Sequence, residues 1–481
     1  MQSEINTMQA TQKIPWTTTE ILEATGGDLL SGDLDRIFAG ISIDSRRITL
    51  PEIFIGIKGN TYDGHSFVSD VLDKGVGGLV INGVKFGDLP RPQRMKKGIV
   101  CVGVQDTIKA LGDLALFHRR RSNASVIAIT GSNGKTTTRK MTADVVGQRF
   151  VTLSSHGSYN NVIGLPLTLL SLEKCHQWAV LELGMNRPGE IERLSEICVP
   201  DVGIITNIGP AHLKGVGSMA GVTSAKGELL KKIKADGTAL LNADDWRVMR
   251  LAEHILIKVL FFGFSGKADI SARSVKEKNQ GIDFTLRLPK ETVPIHLRTP
   301  GRFMVSNALS AAAAGYRLGL SAEEIKAGLE NFQPVQGRMN VFRTARGIQI
   351  IDDTYNANPD SMKAAMDTLR FLKGKKRGVF VAGDMLELGE FAESMHRMVG
   401  TLLAESDTAK LYITGDFAEV VAAGATNEGM ETNHIFIGSK KDIVEDLTHF
   451  LEPGDWVMVK GSRGMAMEKI VEKLMKWGGT R

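Results

Sequence analysis

SVIAITGSNGKTTT, residues 125–138, decides the fold. Its apolar, β-branched run at 125–129 reads as a strand buried on both faces, Gly131 and Gly134 break that strand into a turn, and the segment from Lys135 reads as a helix. Strand, glycine-rich turn and helix in that order make an anion cradle. Backbone N–H groups and the helix N-terminus point at a phosphate, Lys135 adds a full positive charge, and the Thr136 hydroxyl suits Mg²⁺. Gly131, Ser132, Asn133, Gly134, Lys135, Thr136 and Thr137 are therefore the expected nucleotide contacts. The spacing is GxxGKT, with Ile129 standing where the common GxxxxGK[ST] loop has its first glycine. No NKxD tetrapeptide is present to specify guanine, so ATP is the expected nucleotide.

Working outward, further apolar runs follow at AVLEL (179–183), DVGIITNI (201–208) and TALLN (238–242), separated by helical stretches. That alternation predicts an α/β layer with a mostly parallel sheet. Upstream, Ile108, Leu111, Leu114, Ala115 and Phe117 recur at helical spacing. An alanine-rich helix is expected from Asn307 to Leu318. Past Arg338 the alternation resumes as GIQIIDD, GVFVAGD, KLYITGD, HIFIG and DWVMVKGS, a second doubly wound sheet with Asp353, Asp384, Asp416 and Lys460 at its strand ends. Before residue 104, Thr17 and Glu20 fit a capping box, the helix should stop at Gly26-Gly27, and short strands are expected at 41–43, 53–57 and 77–81. Pro90, Pro92 and Lys96-Lys97 read as surface connection. The expected domains are 1–104, 105–334 and 335–481, in line with about 150 residues per domain.

Hydrophobic residues at 42% and charged residues at 23% are ordinary globular values and argue against a disordered or disulfide-scaffold chain. The net charge of +5 gathers only at Arg119–Arg121, Lys231–Lys234 and Lys373–Arg377, too scattered for a nucleic-acid surface. No apolar run approaches the roughly 20 residues of a bilayer span, and the first thirty residues lack a basic start and apolar core. A cytoplasmic protein without membrane insertion, and a monomer, is expected. Cys101, Cys175 and Cys198 have neither CxxC spacing nor an even count, and are expected to be buried free thiols.

Several stretches resemble one family. They are TGSNGKTTT itself, DSR (44–46), KGNTYDGHSF (58–67), NNVIGLPLTLL (160–170), ELGMNRPGEI (182–191), TNIGPAHL (206–213), AKGEL (225–229), DDTYNANPDSM (352–362), GDMLELGE (383–390) and KGSRGMAME (460–468). They are similar to motifs of the Mur ligases, and YNANP with GDMLELG resembles the branch that appends D-alanyl-D-alanine to a UDP-N-acetylmuramoyl tripeptide in peptidoglycan synthesis. The resemblance implies a small α/β UDP-binding domain, a central P-loop ATPase-type domain and a C-terminal Rossmann-like domain. It also implies ATP and Mg²⁺ as cofactors, and the tripeptide and D-alanyl-D-alanine as partners. Pro51-Glu52-Ile53-Phe54 departs from the family's Gly-Asp-Leu-Phe.

In the implied reaction ATP phosphorylates a peptide carboxylate, and an amine then displaces the phosphate. Crowded negative charge must be neutralised and three reactants aligned. By resemblance Lys135, Glu182, His212, Lys226 and Arg338 are catalytic, with Thr136, Glu182, His212 and a carbamylated Lys226 around the metal. Lys226 could equally be a solvated helix-face lysine near Glu228. Arg338 is expected at the γ-phosphate, Asp353 at the ribose, and Tyr355, Asn356 and Asn358 on the nucleotide, although Asn358-Pro359 could be a simple turn. Asn307 reads as an adenine contact or as a helix N-cap, and Arg302 shares that ambiguity. Asn160 and Asn161 are expected on phosphate or substrate, or as loop formers. Lys460, Ser462 and Arg463 suit a substrate carboxylate. Ser45, Arg46, Lys58, Asp63 and His65 suit a uridine diphosphate pocket, with an ordinary polar loop as the alternative.

Three other functions compete. A sister ligase adding the third residue would be expected to carry DNPR, which is absent. A non-catalytic nucleotide switch would not need Glu182, His212 and Lys226 together. A nucleic-acid-dependent ATPase would need a denser basic surface.

Overall fold

In the computed structural model, the strand Ser125–Thr130 lies near the middle of a nine-stranded sheet. The structure describes residues 13–59, 61–87, 98–155, 157, 159–278 and 281–479. The expected connection at Pro90, Pro92 and Lys96-Lys97 lies outside the described residues.

Trp178–Glu182 and Val202–Ile205 flank Ser125–Thr130 in parallel on its two sides. The chain leaves Ser125–Thr130 through the helix Lys135–Val146, visits the edge strand Thr152–Ser154, and returns to Trp178–Glu182. It then crosses to the other side and proceeds outward through Val202–Ile205, Thr238–Asn242 and Lys258–Gly263. The direction of travel thus reverses around Ser125–Thr130. A crevice opens at the carboxyl ends of strands at such a reversal, and the phosphate loop occupies that position.

Three more strands extend this sheet: Ile270–Lys278, Gly281–Arg287 and Thr292–Leu297, the last two antiparallel. Sequence reading passed over them because period-two alternation is a weaker signal than a continuous apolar run. Ile282, Phe284 and Leu286 are buried while Asp283, Thr285 and Arg287 are less covered. The helix Phe303–Arg317 covers the sheet beside Lys135–Val146, and its buried Ala308, Ala311, Ala312 and Ala314 allow close approach. It starts four residues earlier than expected.

The first sheet runs Asp28–Ser31, Val100–Val104, Gly78–Asn82, Glu52–Ile55 and Gly40–Ser42. The helix Thr18–Thr25 opens on the Thr17–Glu20 capping box and closes on Gly26 at φ 62°. Trp16, in a separate two-stranded pairing with Ile37–Phe38, stacks on His118 with ring centroids 5.5 Å apart, which fastens that pair to the helix Thr107–Arg121.

The third sheet runs Asn340–Arg343, Gln349–Asp353, Trp456–Lys460, Gly378–Gly383, Lys410–Thr414 and Ile435–Ile437, parallel except at its first pair. Asp353 and Lys460 therefore end adjacent strands on one edge.

Cys101 and Cys198 are buried, and burial pushes both thiols up to about 12. Cys175 is only half-buried, against expectation, because it sits in the turn before Trp178–Glu182 and not in a strand. Among the described residues no helix is long and apolar enough to cross a membrane.

Candidate active site

The phosphate loop is held from below by its neighbours. Ser132 Oγ donates to the Gly209 carbonyl at 2.8 Å and accepts from the Gly209 N–H, while the Asn133 N–H donates to Asn207 Oδ1 at 2.8 Å. Thr206 Oγ1 donates to the Asn133 carbonyl at 2.6 Å. Gly134 precedes the helix Lys135–Val146 in the left-handed region at φ 80°, and a Cβ there would lie 2.3 Å from Asn307 Oδ1. Glycine is required on both counts. Lys135 Nζ donates to the Gly131 and Ser132 carbonyls, and burial lowers its pKa.

Behind the loop lies a buried carboxylate. Glu182, 2% exposed, ends Trp178–Glu182. Its Oε2 accepts from Thr136 Oγ1 at 2.7 Å and its Oε1 from Asn160 Nδ2 at 2.9 Å. Arg139 Nε stands 3.9 Å from Oε2 and is buried without a hydrogen-bond partner. Thr136 Oγ1 in turn accepts from Arg338 Nη2 at 2.8 Å. A guanidinium, a hydroxyl and a carboxylate form one relay, and Arg338 reaches it from beyond the second expected boundary.

The relay also tests the metal reading. A hydroxyl and a carboxylate oxygen side by side are hard donors of the type Mg²⁺ takes while keeping phosphate oxygens as further ligands. Among the described residues no three His, Cys, Asp or Glu side chains gather to hold a metal unaided. Thr136 and Glu182 fit the ion as part of a set completed by nucleotide phosphates.

His212 and Lys226 are not bonded to Glu182. His212, at φ 57°, pairs through Nδ1 with Glu387 Oε2 at 2.6 Å. Lys226 is 1% exposed and no carboxylate pairs with it among the described residues, which overturns the solvated-lysine alternative. Burial, aided by the Lys135 charge, drives its pKa well down toward the neutral amine. Glu228 is occupied elsewhere, accepting from the Gly189 and Glu192 N–H groups at the start of the helix Glu190–Cys198.

Both lobes line one cavity of about 640 Å³. From the C-terminal lobe, Asn358 caps the helix Pro359–Lys373 through Oδ1 and donates from Nδ2 to Asn133 Oδ1 at 2.7 Å. The Asn358-Pro359 pair is thus a helix start that also touches the phosphate loop. The Tyr355 ring lies under the Arg338 guanidinium at 3.9 Å, with Arg463 at 5.9 Å. Asp353 is ion-paired with Lys460 and accepts the Met339 N–H at 3.2 Å. Lys460, itself buried, also donates to the Asn356 carbonyl, and the carboxylate it meets here is the partly exposed Asp353. Ser462 Oγ accepts the Leu386 N–H at 2.8 Å, and Arg463 stays exposed at the rim.

Other expectations land differently. Asn307 is the fifth residue of Phe303–Arg317, buried, accepting from Thr138 Oγ1 at 3.3 Å; the N-cap alternative is incorrect because the helix begins upstream. Arg302 lies over the Phe264 ring at 5.1 Å, off the cavity. Asn161 Oδ1 accepts from Ile163 and Gly164 N–H groups and shapes the start of Gly164–Leu170. Among the described residues, none before residue 104 lines the cavity. There, Asp63 accepts from the His65 N–H and ring, His65 Nε2 accepts the Asn82 N–H, and the backbones of Lys58 and Asp63 form an isolated antiparallel bridge. Arg46 pairs with Asp44, and the Ser45 carbonyl accepts from Lys74.

Comparison with known proteins completes the picture. Residues 129–315 match the Mur ligase middle domain, and residues 337–463 the Mur ligase, glutamate ligase domain. A UDP-N-acetylmuramoyl-tripeptide--D-alanyl-D-alanine ligase of Bacillus subtilis is 33% identical over 96% of this chain and 98% of its own. The chain belongs to the Mur ligase family. Among solved structures, MurF from Acinetobacter baumannii is 33% identical with a TM-score of 0.87, covering 97% of this chain and 100% of its own. MurF ligase from Thermotoga maritima in complex with ADP is 25% identical with a TM-score of 0.80, covering 91% and 97%.

Within this Mur ligase, sequence reasoning missed two site residues. Arg139 lies one helical turn past Lys135, a spacing that puts it on the same face of the helix and could have marked it. Glu387 lies inside GDMLELGE, a stretch read for resemblance alone; only the tertiary structure brings it to His212.

Proposed function

We propose that this protein joins D-alanyl-D-alanine to UDP-N-acetylmuramoyl tripeptide, using ATP to make an acyl phosphate and releasing UDP-N-acetylmuramoyl pentapeptide, ADP and phosphate. The observation that carries the reading is the contact of Arg338 and Asn358 with Thr136 and Asn133, two lobes meeting over one phosphate loop. A kinase-like step on a carboxylate needs water kept out, and such a closure supports it.

Lys135 and Arg338 supply fixed positive charge where the transferred phosphoryl would gain negative charge. Asn160 holds Glu182 through Oε1, the oxygen away from Thr136, while the Arg139 guanidinium offsets its charge beside Oε2. Magnesium, held by Thr136 and Glu182 with His212 nearby in the cavity, would screen the phosphate oxygens. Lys226 is suited to carbamylation, since the neutral amine that burial favours is the form that adds CO₂. Asp353, Tyr355 and Asn356 are assigned to the nucleotide, and Lys460, Ser462 and Arg463 to the acceptor end of the cavity. Residues 1–104 are assigned to the UDP sugar through Ser45, Arg46, Lys58, Asp63 and His65, 105–334 to ATP, and 335–481 to closure. The protein is assigned to the cytoplasm as a monomer.

The test is phosphate release from ATP and Mg²⁺ with each substrate alone and then with both, combined with product mass. Release that requires both, with a pentapeptide mass, supports the reading. Release that depends on a single amino acid in place of D-alanyl-D-alanine moves the protein to a sister activity, and substrate-independent nucleotide binding without release refutes it.

A further inference from the structure

We propose that Glu387 is a positioning residue, carried by the C-terminal lobe to His212 on closure, which holds the His212 ring in one orientation toward the phosphate site. The inference rests on the ligase reading for its assay. Glu387 Oε2 lies 2.6 Å from His212 Nδ1, and both residues line the shared cavity. An ionised carboxylate can only accept, so Nδ1 carries a proton, and in the neutral ring Nε2 keeps its lone pair for whatever sits in the cavity. This carboxylate–imidazole arrangement orients ligating or polarising histidines.

The geometry has support on both sides. The Glu387 carbonyl accepts the Lys214 N–H at 3.0 Å, two residues past His212. A Cβ on Gly389 would lie 3.1 Å from Lys214 Cα, so the two loops meet backbone to backbone. His212 at φ 57° and Glu387 at φ 64° both adopt the left-handed region that side chains disfavour. Such conformations persist where the surroundings over-determine them, and here they face each other across the lobe junction. The Glu387 side chain is 51% exposed, so the pair adds little to the folding of either lobe, and its consequence lies in the ring orientation and in holding the lobes together.

The experiment compares Glu387→Ala and Glu387→Gln with wild type in pentapeptide synthesis, and measures closure by small-angle scattering with a non-hydrolysable ATP analogue and UDP-muramoyl tripeptide. Glu387→Ala should lower kcat by about 10- to 100-fold, with KM for the tripeptide unchanged and a more open particle. Glu387→Gln, whose amide oxygen still accepts from Nδ1–H, should fall between. Added to His212→Ala, Glu387→Ala should cost nothing further, because the pair acts as a unit. Wild-type kcat in Glu387→Ala, or losses that multiply in the double variant, overturns the proposal. If Glu387→Ala is poorly folded, Glu387→Gln decides by the same criteria. Should wild type close but make no pentapeptide, the ligase reading fails, and scattering alone judges the contact: an unchanged particle in Glu387→Ala overturns it, an opened one supports it.

Discussion

Thr136→Val removes one oxygen from the relay while keeping nearly the same volume. That oxygen donates to Glu182 at 2.7 Å and accepts from Arg338 at 2.8 Å. Glu182 retains Asn160, whereas Arg338, whose Nε is already without a hydrogen-bond partner, keeps its stacking on Tyr355. A hydrogen bond to a charged group contributes about 1.5–3 kcal/mol. The Arg338 bond joins the two lobes, and its loss therefore falls on closure, making the closed form about 10- to 150-fold less populated. The expected outcome is a kcat/KM for pentapeptide synthesis reduced by at least that factor, an increased Mg²⁺ requirement, and a more open particle in scattering. Thr136→Ser, which keeps the hydroxyl, should stay near wild type. Wild-type turnover and closure in Thr136→Val would refute the claim that this hydroxyl couples the lobes.

Gly134→Ala forces a side chain into the left-handed region and against Asn307, at a cost of about 1–2 kcal/mol for the conformation alone; isothermal titration should show ADP binding lost while circular dichroism shows the fold retained. Lys460→Met should destabilise the protein by about 1–3 kcal/mol in urea unfolding, because it takes the cation from a largely covered Asp353 carboxylate that keeps only the Met339 N–H, and adding Asp353→Asn should recover most of that loss. His118 is buried with Nδ1 unpartnered, and burial lowers its pKa. The unfolded chain then takes up a proton that the folded chain refuses, so stability should fall as pH drops below about 6.5, and His118→Phe should flatten that slope in thermal melts from pH 7 to pH 5. His176 and His396 shift in the same direction, so the flattening should be partial.

Much of the fold was legible because long apolar runs next to glycine turns are a local signal. Ser125–Thr130 and its loop, the Thr17 cap, and the strands ending in Asp353 and Lys460 were all readable from a few neighbouring residues. The strands at 270–297 were not, since alternation there is broken by a register shift between Arg273 and Lys276. Asn307 reads as a possible cap because nothing local shows that the helix already runs from Phe303.

The sequence by itself determined the phosphate loop, the three alternating α/β segments and the family, because each is written in contiguous residues whose backbone preferences and spacing suffice. Only the tertiary structure decided that Lys226 is buried without a carboxylate partner among the described residues, that Lys460 meets Asp353, and that Glu387 meets His212. Those facts depend on which side chains from distant segments share one desolvated volume, and the charge state and orientation of a buried group follow from that company, not from its position in the chain.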